Sequence, residues 1–159
     1  MTITLKDFLS QEADRWFAQA EQRQAKRDEW VAAVRRLLDQ IRAWLREADT
    51  TGVLRITEQT HTFHEGGIGH YEAPGLSVRL RDREVQIAPG ARNTVGSVGD
   101  PSFRTQGLVV MTAGDLKYLL YRLLDERHGE RWRIVNDSDY STDLLDKDSF
   151  EAALVRLFS

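Results

Sequence analysis

From Thr2 to Thr51 the chain contains neither glycine nor proline, the two residues that most often interrupt regular structure. Within that stretch Trp30, Val31, Val34, Leu37, Leu38, Ile41, Trp44, Leu45 and Ala48 recur every three or four positions. On a helix this spacing gathers them into one broad apolar stripe. Arg35, Arg36, Asp39, Gln40, Arg42, Arg46 and Glu47 fall between them and face water. Something must cover the stripe, and whatever covers it organises the rest of the chain.

The helix has a start and a stop. Thr4 and Asp7 have the spacing of a capping box, in which each side chain satisfies an otherwise unpaired N–H. Gly52 supplies a left-handed stop, with Arg42 and Arg46 near the negative end of the helix dipole. Leu9, Ala13, Trp16, Phe17 and Ala20 share a seven-residue register with Leu37, Ile41, Trp44, Leu45 and Ala48. Between the two groups, the polar run from Glu21 to Glu29 places Arg23, Gln24 and Arg27 at stripe positions. One reading is a single helix of about 45 residues, near 65 Å long at about 1.5 Å per residue; the other is a helical hairpin turning in the polar run. The lack of turn chemistry there favours the single helix.

From Val53 the period changes to two. VLRITEQTHTFHE reads as one bent strand or two short ones. After the glycine-rich GGIGHYEAPG, Leu76, Val78 and Leu80 alternate with polar residues, as do Val85 and Ile87, with Asp82 and Arg83 as the hairpin turn and Pro89 and Gly90 ending the ladder. ARNTVGSVGDPSF reads as a polar loop, and Gly107 to Met111 as a buried strand. Thr112 and Asp115 form a second capping box ahead of Leu116, Leu119, Leu120, Leu123 and Leu124, an apolar helical face that stops at Gly129. Trp132, Ile134 and Val135 give another strand. A last amphipathic helix, capped by Asp148 and Glu151, carries Phe150, Leu154, Leu157 and Phe158 inward.

With 159 residues, of which 41% are apolar, one core is expected. The sequence predicts a single α+β domain: a long N-terminal helix or hairpin over 1–50, an antiparallel β-rich part over 51–111, and helix–strand–helix over 112–159. The sheet is expected to hold about 4–6 strands, with two amphipathic helices in the C-terminal part. There are no cysteines, which removes disulfides and thiolate metal sites. With no signal-peptide pattern and no apolar run of the roughly 20 residues that cross a bilayer, a soluble cytoplasmic protein without membrane contact is expected.

Net charge is −3, and the imbalance sits in the tail: residues 137–159 carry 2 basic and 6 acidic residues. No segment has the basic surplus that phosphate neutralisation requires, so nucleic acid is not an expected partner. The outward arginines Arg55, Arg79, Arg81, Arg83, Arg92 and Arg104 lie among Glu58, Asp82 and Glu84, without interleaved stacking aromatics. They read as a salt-bridged sheet face.

Two clusters could hold a metal. His61, His64 and His70 lie close in sequence with Glu65, but the histidine spacing is not HExxH, and three apart on a strand means opposite faces. Asp137, Asp139, Ser141, Asp143, Leu144 and Asp148 have the oxygen-ligand spacing of a calcium loop, except that Thr142 stands where glycine belongs and Asp148 where the bidentate glutamate belongs. Asp100, Asp115 and Lys117 only loosely match the acid and lysine pattern of metal-dependent nucleases, and Asp115 is better used as a helix cap. GGIG at 66–69 lacks the phosphate-loop lysine and suits a turn.

The functional expectation is a non-catalytic interaction or accessory protein with no cofactor. Its partner is another protein or a second copy, an immunity-type inhibitor being one form. Phe8, Trp16, Phe17 and Trp30 are the candidate contact residues, since large aromatic groups anchor interfaces. The competing expectation is a metal-dependent enzyme or metal-binding protein using His61, His64, Glu65 and His70, or Asp137, Asp139 and Asp143.

Overall fold

The computed structural model describes residues 2–92, 104–125, 127 and 129–159. The uninterrupted N-terminal stretch forms one helix, α1, Leu5–Ala48, of 44 residues. Thr4 caps it by accepting from Asp7 N at 3.2 Å. Its far end is closed by Asp49, whose carboxylate accepts from the N–H groups of Val53 and Leu54, each at 3.0 Å. Gly52, at φ +71°, then lets the chain reverse, a conformation glycine adopts without a Cβ penalty.

A seven-stranded antiparallel sheet follows in plain sequence order: β1 Leu54–Glu65, β2 Gly69–Leu80, β3 Arg83–Ala91, β4 Arg104–Ala113, β5 Leu116–Asp125, β6 Gly129–Asn136 and β7 Thr142–Leu144. One helix, α2, Lys147–Phe158, ends the chain. The α+β class holds, but among the described residues the sheet has seven strands where about four to six were expected, and one C-terminal helix replaces the expected two. Leu116 to Asp125 is a strand. Its hairpin with β4 pairs Ala113 with Leu116 around Gly114, at φ +58°, so Asp115 is a turn residue and not a helix cap.

VLRITEQTHTFHE contributes a single strand, β1, one of its two expected readings. Smaller expectations shift. The β2–β3 turn is Arg81 and Asp82, because Leu80 pairs with Arg83. Pro89 and Gly90 do not end β3; the strand bulges between Pro89 and Ala91 and continues. The cap of α2 is a capping box between Asp146 and Ser149, not the Asp148 and Glu151 pair. The expected polar loop after Ala91 lies, beyond Arg92, outside the described residues, as does Asp100.

One face of the sheet presents Leu76, Val78, Val85, Ile87, Val109, Met111, Leu120 and Ile134, all buried. Against it lie Val34, Leu37, Leu38, Ile41 and Leu45 of α1 and Phe150, Leu154, Leu157 and Phe158 of α2. The ring of Trp44 sits 5.5 Å from that of Phe150, so the two helices touch each other as well. In the β1–β2 ladder the register is unbroken, yet Phe63, Tyr71 and Ala73, of opposite parity to Leu76 and Val78, join the same core. The β2–β3 pairing ends at Leu76. Beyond it β1 and β2 continue paired with each other, and there the residues of the other parity face the core.

Candidate docking surface

The sheet supports only the second half of α1. The first buried residue along the helix is Trp30, and upstream of it Leu5, Phe8, Leu9, Trp16 and Phe17 are 71, 47, 55, 59 and 61% exposed. Their direction follows from helix geometry, since eighteen residues make about five turns. Leu5 therefore aligns with Arg23 and Ile41, Leu9 with Arg27 and Leu45, Trp16 with Val34, and Ala20 with Leu38. Ile41, Leu45, Val34 and Leu38 are the residues pressed on the sheet. The exposed apolar residues thus continue the core-facing side of the helix past the sheet's end. Phe17 aligns with exposed Arg35 and sits at the margin, its ring edge-on to Trp16 at 5.3 Å.

The point where α1 leaves the sheet is clamped. Arg27 donates to the carbonyl of Ile68 in the β1–β2 turn. Trp30 is 0% exposed and lies beside Trp132, ring centres 6.2 Å apart. It fills the space left by Gly107, where an added Cβ would stand 2.1 Å from Cζ3 of the indole. Arg122 of β5, whose side chain is only 2% exposed, pairs with Glu29 of α1 and, at 2.7 Å, with Glu130 of β6. Arg36 of α1 holds the same Glu130 at 2.9 Å. Burial works against the Arg122 charge, but the hydrogen bonds and charges of Glu29 and Glu130 outweigh it and raise its pKa. Burial likewise pushes Glu130 up, and the two arginines bring it below the ordinary carboxylate range. A charge this deep is kept only by being fully paired, so the free segment projects from a rigid root.

Of the four contact residues expected from sequence, Phe8, Trp16 and Phe17 lie together on the free segment, and Trp30 lies in the core. Sequence reading left out Leu5 and did not single out Leu9 as a contact. The eighteen-residue spacing to Ile41 and Leu45 was the signal that could have found both.

The candidate metal ligands are dispersed. His64 and His70 face each other across β1 and β2, ring centres 4.1 Å apart. His61 pairs in register with Ala73 and lies near Phe63, at odd parity on β1 where His64 is even. The Glu65 carboxylate accepts from Tyr71 Oη at 2.6 Å and from Arg92 N at 2.9 Å, tying the β1–β2 turn to the end of β3. Burial and that carboxylate together push the Tyr71 hydroxyl well above its usual range. In the acidic stretch, Asp139 accepts from the N–H and hydroxyl of Ser141, and Asp143 from the N–H of Leu144. Among the described residues no group of three or more His, Asp or Glu side chains is placed to hold a metal.

The arginines are likewise mixed with acids: Arg79 lies 3.6 Å from Glu84, and Arg83 donates to the carbonyl of Phe158. Among the described residues no helix is long and apolar enough to cross a membrane. Comparison with protein-family models, with curated proteins and with solved structures returned no match.

Proposed function

We propose that this is a non-catalytic interaction protein whose free helical segment, Leu5 to about Ala20, is a docking surface for a protein partner. One observation supports the reading: a helix rooted firmly in the core carries its apolar side on past the sheet, with Trp16 and Phe17 more than half exposed. Leaving about 100 Å² of each ring in water forgoes roughly 2–3 kcal/mol of burial per ring. Aromatic groups of this kind anchor interfaces, and an apolar stripe this continuous is more than the scattered single exposures normal on a protein surface.

The test is the size of the native complex. In fresh extract of its own cells, the tagged 18.2 kDa chain is expected to sediment as a larger species. The triple variant Phe8→Ala, Trp16→Ala, Phe17→Ala is expected to sediment as the monomer. Alanine is the strongest helix former, so loss of helix would not explain the difference. Identical sedimentation of the two proteins would remove the reading. The competing metal reading draws on His64 and His70, which supply two of the four ligands a zinc site uses. Stoichiometric metal in the purified protein, lost in His64→Asn with His70→Asn, would favour it.

A further inference from the structure

We infer that the free segment of α1 is covered by the same segment of a second copy of this chain, the two helices running antiparallel. The inference rests on the docking reading and names its partner. Charge complementarity carries it. Upstream of the clamp at Arg27 the helix runs free of the sheet as far as Lys26: over residues 5–14, Lys6 is outweighed by Asp7, Glu12 and Asp14, a net of −2; over residues 15–26, Arg15, Arg23 and Lys26 outweigh Glu21, a net of +2. An antiparallel pair lays each acidic half along the other copy's basic half. A parallel pair would set like against like.

The apolar surface agrees. Leu5, Phe8, Leu9, Trp16 and Phe17 from both copies would remove on the order of 1,000 Å² from water, about the least that a specific interface needs. The partner helix would lie where the sheet lies for Val34 to Leu45, because the exposed residues are on that side. Among the described residues Lys26 and Arg23 have no ion pair of their own, so they are available to the acids of another copy.

The chain has no cysteine, so Lys6→Cys places one spin label per copy. Purified full-length protein is expected to sediment as a dimer at micromolar concentration, with a label separation of roughly 20–30 Å, twice the helical distance from residue 6 to the midpoint of the pair. Glu12→Lys with Asp14→Lys is expected to weaken self-association at least tenfold. So is Arg23→Glu with Lys26→Glu, and mixing the two variants restores a heterodimer, since each then carries the complement of the other. A monomer at every concentration, or a separation below about 15 Å, which marks a parallel pair, overturns the inference. If the purified chain is monomeric while the large species in cell extract still depends on Trp16 and Phe17, docking stands and the second copy falls.

Discussion

At Gly107, inside the bulge of β4 between Thr105 and Leu108, the absence of a side chain decides where Trp30 goes and so where α1 is rooted. Replacing it with alanine forces a Cβ into the indole. Gly107→Ala is expected to lower stability by about 3 kcal/mol, at the upper end for overpacking, as measured by urea unfolding. Adding Trp30→Phe removes the ring atoms in the way and should recover part of that loss, a coupling that a double-mutant cycle reads directly. None of this was legible in the sequence, where Gly107 stands at the head of an apolar run and nothing marks it as the neighbour of Trp30.

Two carboxylates, Glu130 at the root of α1 and Asp49 at its far end, make stability depend on pH. Asp49 is held below the ordinary carboxylate range by the N–H groups of Leu54 and Val53, and Glu130 by Arg36 and Arg122 against the opposing effect of burial. Both folded-state values are depressed, so the unfolded chain takes up protons first as the solution is acidified. The stabilisation is therefore complete above the ordinary carboxylate values and is lost as pH falls through the depressed ones. The melting temperature of the wild type is expected to fall between about pH 5 and pH 3. Glu130→Ala should start about 2 kcal/mol lower at neutral pH, because it strips a partner from buried Arg122, and should then show a shallower acid limb. Equal slopes for the two proteins would place the acid sensitivity elsewhere.

Among the elements, α1 and β5 show what a sequence can and cannot reveal. The single long helix was readable because nothing between Thr2 and Thr51 could turn the chain. LKYLLYRLLD was not: its leucines fall at helical spacing, yet it is a strand whose second face is only partly buried. Tyr118 and Leu120 point to the helices, and Leu123, of opposite parity, is 1% exposed on the other side. Leucines on both faces of a strand can mimic helical spacing, and periodicity alone cannot separate the two. The short β7 and the Asp146 cap were hidden for a related reason: an acidic stretch offers several carboxylates at plausible cap spacing, and the one used is fixed by where the sheet delivers the chain.

The same scale predicts how independent the free segment is. Leu5 to Gln19 is exposed throughout and, among the described residues, shares no hydrogen bond with the sheet, its side-chain pairing being Arg15 with Glu12 at 3.3 Å. Removing residues 2–20 is expected to leave the thermal midpoint of the purified monomer within about 2 °C, less than a 1 kcal/mol change would produce. The same truncation should abolish the large species. A drop of many degrees at a concentration where the protein is monomeric would show that the segment serves its own globule.

For the whole molecule, the α+β class and the surplus of apolar helix could be read from residue spacing, whereas the seven-strand order and the burial of Trp30 required three dimensions. The candidate site follows the same division. Trp16 and Phe17 were visible in an apolar register and Phe8 as a further aromatic beside it, but only the sheet's edge shows where cover ends. The central claim is that the apolar side of the free segment meets another protein in the cell. Photo-crosslinking tests it most directly, with a benzophenone side chain placed at Phe17 and, as a control, at Arg46 near the other, exposed end of the same helix. One discrete covalent adduct from position 17 and none from position 46 is the predicted result. No adduct from position 17, or the same adducts from both positions, would contradict the account.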